Sequence, residues 1–111
     1  MEPLKDASHL YEAELRALHL ERPGFRISEL RISPTQSVPW HYHNHVRDTF
    51  YVLEGRLRIF LQDPKEEVRL GPGEVYPVEP RRPHLVTNGG EVSATFLVLQ
   101  GVGDYDYVPI A

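Results

Sequence analysis

No cysteine occurs in the 111 residues, which excludes disulfides and thiolate metal sites. Any metal must therefore be held by nitrogen and oxygen. No apolar run approaches the roughly 20 residues that a membrane helix needs. The opening Met-Glu-Pro-Leu-Lys-Asp-Ala-Ser-His stretch has no apolar core of the kind a secretory signal carries. The expectation is a cytoplasmic protein with no membrane partner. Basic residues are also scarce. Twelve Lys and Arg face sixteen Asp and Glu, for a net charge of -4, which argues against nucleic acid as the main partner because phosphate binding needs a basic face. A small anionic ligand met by a local arginine stays open.

Turn residues, in contrast, are plentiful. Ten prolines and eight glycines cut the chain into short segments, a pattern that predicts an all-β sandwich or barrel. The length fits one domain, residues 1–111, with a barrel core at about residues 25–100. Residues 1–9 read as a loose arm. Leu10 to Leu20 reads either as a short helix capped by Ser8 or, in its second half, as a strand. Phe25 to Ser33 alternates with one slip and is predicted as a strand with a bulge. Trp40 to Asp48 is predicted as one strand, followed by a buried strand over Thr49 to Gly55. Leu57, Ile59 and Leu61 share one face of the next. A hairpin turn at Asp63–Glu66 follows, then strands at Glu67–Leu70, Glu74–Val78, His84–Thr87 and Val92–Gln100. The tail places Tyr105 and Tyr107 to pack back on the barrel.

Half of the six histidines fall in five residues: His41, His43 and His45. Alternation puts side chains on one face of an extended chain, so two imidazoles can converge on one metal ion, and the downstream carboxylate of Asp48 adds a hard oxygen ligand.

Two blocks stand out together. The first is His41-x-His43-x4-Asp48-x6-Gly55. The second is Gly71-Pro72-Gly73, then Pro80 and Pro83-His84-x3-Asn88. In this order they resemble the two motifs of the cupin superfamily, small barrels of double-stranded β-helix (jelly-roll) topology. The resemblance implies metal ligation by His41, His43 and His84. It departs from the family in two places. Asp48 replaces a glutamate and is shorter by about 1.5 Å, so it meets a metal only if its strand shifts or through a water, or else it orients a ligand histidine. Arg81 replaces a glycine found in many members, which predicts a less tightly turned loop and a cation near the site. His45, further along the same face, is read as a neighbour of the ligands: a support, a proton shuttle or a solvated side chain. Asn88 is read as a turn residue bonding nearby backbone, and Gly55, Gly71 and Gly73 as turn glycines with positive φ.

Phe50, Val52, Val86, Phe96 and Val98 are expected to face inward and, near the metal, to wall a substrate pocket with Tyr76 and Arg81. Trp40 and Tyr42 are placed at its rim. Three imidazoles and a carboxylate suit one divalent Fe, Mn, Ni, Zn or Cu ion. The chemistry implied is dioxygenase-like, or that of a Lewis-acid isomerase, lyase or cyclase on a small oxygen-bearing molecule. The alternative is a non-catalytic ligand-binding or sensor module. A metal-free sugar-nucleotide epimerase-like member is the third reading; no spacing here demands its His–Tyr–Asp set. A homodimer, pairing through residues 10–30, is expected because exposed edge strands are commonly covered.

Overall fold

The turn residues divide the chain into ten strands in the computed structural model, which describes residues 3–110. The strands are β1 (Leu15–Arg22), β2 (Phe25–Ile32), β3 (Ser37–Tyr42), β4 (Arg47–Glu54), β5 (Leu57–Leu61), β6 (Glu66–Leu70), β7 (Val75–Val78), β8 (His84–Asn88), β9 (Ala94–Gly101) and β10 (Val108–Pro109). They form two five-stranded antiparallel sheets, ordered β1-β2-β9-β4-β7 and β10-β3-β8-β5-β6. This is the all-β double-stranded β-helix that the turn spacing and the paired motifs implied. No helix among the described residues is long and apolar enough to cross a membrane.

Period-two alternation fixes which face of each sheet is buried. Leu57, Ile59 and Leu61 are at most 1% exposed. Ile59 lies opposite Val86, which in turn pairs with Val38. In the other sheet Phe50 lies opposite Val98, and Val52 opposite Phe96. Side chains of both sheets belong to one apolar cluster. Burying each large aliphatic or aromatic side chain contributes roughly 1.5–3 kcal/mol, so this seam holds the sheets together without cross-links.

Three local readings are corrected, and one open alternative is decided. Of the two readings of Leu10–Leu20 the strand holds, as β1 from Leu15, while the helix is absent: a single 3-10 turn spans Ser8–Leu10, with Ala7 rather than Ser8 at its cap position. The bulge expected in Phe25–Ser33 sits instead across the ladder, between Leu18 and Leu20 of β1, while β2 pairs with β9 in unbroken register. The arm is tied down, because the backbones of Leu4 and Tyr107 exchange two hydrogen bonds of 2.7 Å. The predicted Trp40–Asp48 strand is two strands, β3 and β4, with the chain turning between them at residues 43–46.

Asn88 behaves as read. Its amide donates to the carbonyls of Ile32 and Val92 and its Oδ1 accepts from the Gly90 amide. Gly55 and Gly73 have φ of 75° and 83°. Gly71 does not share that conformation. It sits beside the Arg56 guanidinium, with its amide donating to the Glu74 carboxylate at 2.6 Å. The two left-handed glycines separate two costs. A Cβ on Gly73 would meet nothing within 4 Å, whereas one on Gly55 would lie 2.6 Å from the Ser93 carbonyl oxygen and 2.8 Å from Ala94 Cα. Gly73→Ala is expected to cost about 1–2 kcal/mol, the penalty of a left-handed L-residue. Gly55→Ala is expected to cost clearly more, as read by urea denaturation. Equal losses would contradict this packing.

Candidate metal centre

Strand geometry brings four chemistry-bearing residues to one point at the seam of the sheets. His41 on β3 and His84, the first residue of β8, are direct cross-strand partners. His43 follows the end of β3, and Asp48 comes from β4 in the opposite sheet. Their side chains are at most 3% exposed. The Asp48 Oδ2 atom lies 2.8 Å from His43 Nε2, 3.1 Å from His84 Nε2 and 3.9 Å from His41 Nε2. The shorter carboxylate therefore reaches His43 and His84 at hydrogen-bond distance and stands just beyond it from His41.

The far side of each ring fixes its chemistry. His41 Nδ1 donates to the Pro39 carbonyl at 2.7 Å, His84 Nδ1 to the Arg82 carbonyl at 2.8 Å, and His43 Nδ1 to the Asp106 carbonyl at 2.5 Å. A carbonyl only accepts, so each Nδ1 carries a hydrogen and each neutral ring turns an Nε2 lone pair inward. Three lone pairs and a carboxylate oxygen converging in a buried space repel one another unless a positive charge sits among them. The four ligand atoms lie within 4.8 Å of one another. Atoms bound to one ion at about 2.0–2.2 Å stand roughly 3–4 Å apart, so this donor set suits a single divalent metal. Backbone carbonyls on the outer nitrogens are the support that metal-binding histidines generally use.

Two supports lie outside the sequence motifs. Gln100 sits directly across from Asp48 on β9 and donates Nε2–H to Asp48 Oδ1 at 2.9 Å. Its signal was the parity of Phe96, Val98 and Gln100 on one strand face. Asp106, whose carbonyl receives His43, is buried, and its carboxylate accepts two hydrogen bonds from Asn44. No local pattern in the sequence announces that pairing. Tyr107 stacks on His41 with ring centroids 4.2 Å apart and planes 11° apart, as the tail was expected to do.

A cavity of about 290 Å³ opens onto His41, His43 and Asp48. Phe50, Val86 and Val98 line it. The other four residues read as pocket wall lie outside its lining. Val52 and Phe96 are wholly buried in the core, away from the cavity. Tyr76 lies at the β7 edge and donates its hydroxyl to Glu66. Arg81 is exposed outside the cavity, and its loop is not loosened. It takes φ of 66°, the conformation a glycine would adopt, and its amide donates to the His43 carbonyl at 2.6 Å. Trp40 and Tyr42 do not line the cavity either. Tyr11, Tyr105, Tyr107, Arg16 and Arg26 do. His45 is exposed in the turn after β3 rather than beside the ligands, because the break after Tyr42 ends the alternation that placed it there.

The cupin-domain family Cupin_2 matches residues 28–107. Among solved structures, a conserved protein with a double-stranded β-helix domain from Klebsiella pneumoniae is similar with a TM-score of 0.76 and 21% identity, over 86% of this chain and 77% of that one. The cupin domain of Schizosaccharomyces pombe Cnp3 is similar with a TM-score of 0.74 and 15% identity, over 84% and 68%. An oxalate oxidase is similar at 0.71 and 17% identity, over 78% of this chain but 46% of its own. No curated protein sequence matches the chain.

The electrostatics give the first test of the cluster. Burial, then the neighbouring His84, pushes His41 down to about 4. Burial also opposes charge on His43, but the Asp48 carboxylate offsets this and holds the ring above its ordinary value of 6.5. Burial works against the Asp48 carboxylate too, yet the His43 charge and the imidazoles around it hold it well below the usual carboxylate range. In chelator-stripped protein, the stability from His43 is therefore full below 6.5 and lost as pH rises through its raised value. His41 works the other way, costing stability as pH falls from 6.5 towards about 4. Imidazole NMR titration of that protein is expected to show one ring protonating near pH 4 and another still protonated above 6.5. His41 and His43, once assigned, titrating together near 6.5 would contradict the arrangement.

Proposed function

The chain belongs to the cupin-domain family Cupin_2, and from that membership and the buried cluster we propose that it binds one divalent transition metal and acts as an enzyme on a small oxygen-bearing organic molecule. His41, His43, His84 and Asp48 are the proposed ligands. The observation that carries the reading is the set of three Nδ1–H bonds to backbone carbonyls, which leaves three Nε2 lone pairs and Asp48 Oδ2 pointing at one another. Iron, manganese, nickel, zinc and copper all accept such nitrogen and oxygen donors. When bound, the ion supplies either redox chemistry with O2, giving a dioxygenase-type reaction, or Lewis-acid activation, giving an isomerase, lyase or cyclase.

The chain's own groups prepare that chemistry. Gln100 occupies Asp48 Oδ1 and leaves Oδ2 for the centre. Tyr107 holds the His41 plane by stacking. Phe50, Val86 and Val98 keep the adjoining cavity wall apolar, which suits a small, partly hydrophobic substrate. Ligation requires His43 to give up the proton that Asp48 helps it keep, so metal binding releases a proton and weakens towards acid pH.

β1 lies at the edge of its sheet, which supports a homodimer through residues 10–30. One preparation tests both readings. Native mass spectrometry of tag-free protein, with elemental analysis, is expected to show two chains of 12.8 kDa and near one metal ion per chain. His43→Ala is expected to keep the dimer and lose most of the metal. An oxygen electrode then separates the two chemistries, with O2 uptake on substrate addition marking the redox class. A monomer would overturn the dimer. Absence of metal even after anaerobic Fe(II) or Mn(II) loading would overturn the metalloenzyme and leave a ligand-binding module.

A further inference from the structure

Two buried polar atoms among the described residues have no hydrogen-bond partner, Arg26 Nε and Tyr107 Oη, and both residues line the cavity over the candidate centre. Both atoms are donors. A buried donor without an acceptor is unfavourable, so the pair marks a place where an acceptor belongs. Tyr107 is 2% exposed. The cavity's other charged side chains outside the candidate centre, and Gln100, each have a partner. Lys5 donates to the Tyr105 carbonyl, Arg16 to the Tyr11 carbonyl while stacking on that ring, and Gln100 to Asp48. Asp6 accepts from the Ser8 amide, and Glu29 bonds His19.

Sheet register sets the distance from this cation to the centre. Arg26 on β2 lies opposite Gln100 on β9, and Gln100 lies opposite Asp48 on β4. The three form one row across the sheet, so Arg26 and Asp48 stand two strand spacings apart, roughly 10 Å between Cα atoms. The Arg26 guanidinium rests 4.0 Å above the Tyr105 ring, and Tyr105 lies 5.5 Å from His43. Stacking on a ring and flanking by strands hold the guanidinium in place. Arg26 Nε does face one carboxylate, Glu21 Oε2 at 3.5 Å, but that contact meets no hydrogen-bond geometry and the Glu21 side chain is largely exposed. Screening by water makes that a weak competitor for an anion in the cavity.

We propose that the cavity takes a small organic acid bearing a second oxygen function at its other end. Its carboxylate lies against Arg26 and Tyr107. Its other oxygen faces the centre where His41, His43 and Asp48 line the cavity, and its short body packs on Phe50, Val98 and Tyr105. Only the second end rests on the metal reading. Arg26, and not Arg81, is then the cation that selects the substrate.

Titration calorimetry with 4-hydroxybenzoate and 3-hydroxypropanoate, each with a single carboxylate and each beside its neutral methyl ester, tests this on metal-loaded protein. The acid that fits is expected to bind at least about tenfold tighter than its ester, the ratio a charge-assisted hydrogen bond supplies. Arg26→Gln is expected to erase that preference while metal content stays at the wild-type level. Tyr107→Phe keeps the stacked ring and removes only the hydroxyl. It is expected to weaken the acid and leave the ester unchanged, and it decides the matter should Arg26→Gln fail to fold. Equal binding of acid and ester, an acid preference that survives both substitutions, or no binding of either acid would overturn the proposal. Metal content read on the same samples separates these outcomes from failure of the metal centre: metal-free protein that still prefers the acid would sink the centre and keep the Arg26 site.

Discussion

The structure depends on a carboxylate buried among imidazoles at the junction of two sheets. Asp48 comes from one sheet and His41 and His84 from the other, so the cluster is a polar weld inside an otherwise apolar seam. A group of this kind is tolerated only when each atom has a partner and the total charge is balanced. The outer nitrogens are balanced by carbonyls and Asp48 Oδ1 by Gln100, while the space between Oδ2 and the Nε2 atoms calls for a shared positive charge. A proton can satisfy part of that demand, as the raised His43 shows. A divalent cation satisfies all four donors together.

The strands around the cluster make it rigid. Pairing of β3 with β8 sets His41 opposite His84, and pairing of β4 with β9 sets Asp48 opposite Gln100. Each candidate ligand therefore inherits its position from a ladder of backbone bonds rather than from a loose loop. His43 is the exception. It leaves the end of β3, and its ring and backbone are tied instead to Asp106 and to the Arg81 amide. The tail that supplies Asp106 also supplies Tyr105 and Tyr107, so one segment orients a ligand and closes the cavity wall.

How far the sequence reached follows from which interactions are local. The spacing of His41, His43, Asp48 and Gly55 is set within one continuous stretch, β3 and β4 with the turn between them, and it was legible. So was the inward row of Leu57, Ile59 and Leu61, because period-two alternation needs no distant partner. The break after Tyr42 was not legible. Alternation of three histidines invites a continuous strand, and what turns the chain is contact with residues 38 and more than 60 positions away, Arg81 and Asp106. The misplaced His45 follows from that break. Arg81 was read as loosening its loop because it lacks glycine's freedom, yet the hydrogen bond of its amide to His43 accompanies a left-handed arginine. Tyr76 was assigned to the pocket from its place near the motifs, whereas Arg26, Tyr105 and Tyr107 reach it only through tertiary packing. Gln100 had a readable signal in strand parity, a polar residue continuing the inward row of Phe96 and Val98.

The most direct test of the shared-charge centre is metal-edge X-ray absorption on protein loaded with the ion it retains through purification. The expected spectrum shows the outer-shell scattering of three imidazoles with a carboxylate oxygen in the inner shell, falling to two imidazoles in His84→Ala. A spectrum with at most one imidazole, or one that His84→Ala leaves unchanged, would contradict convergence of His41, His43 and His84 on a single ion.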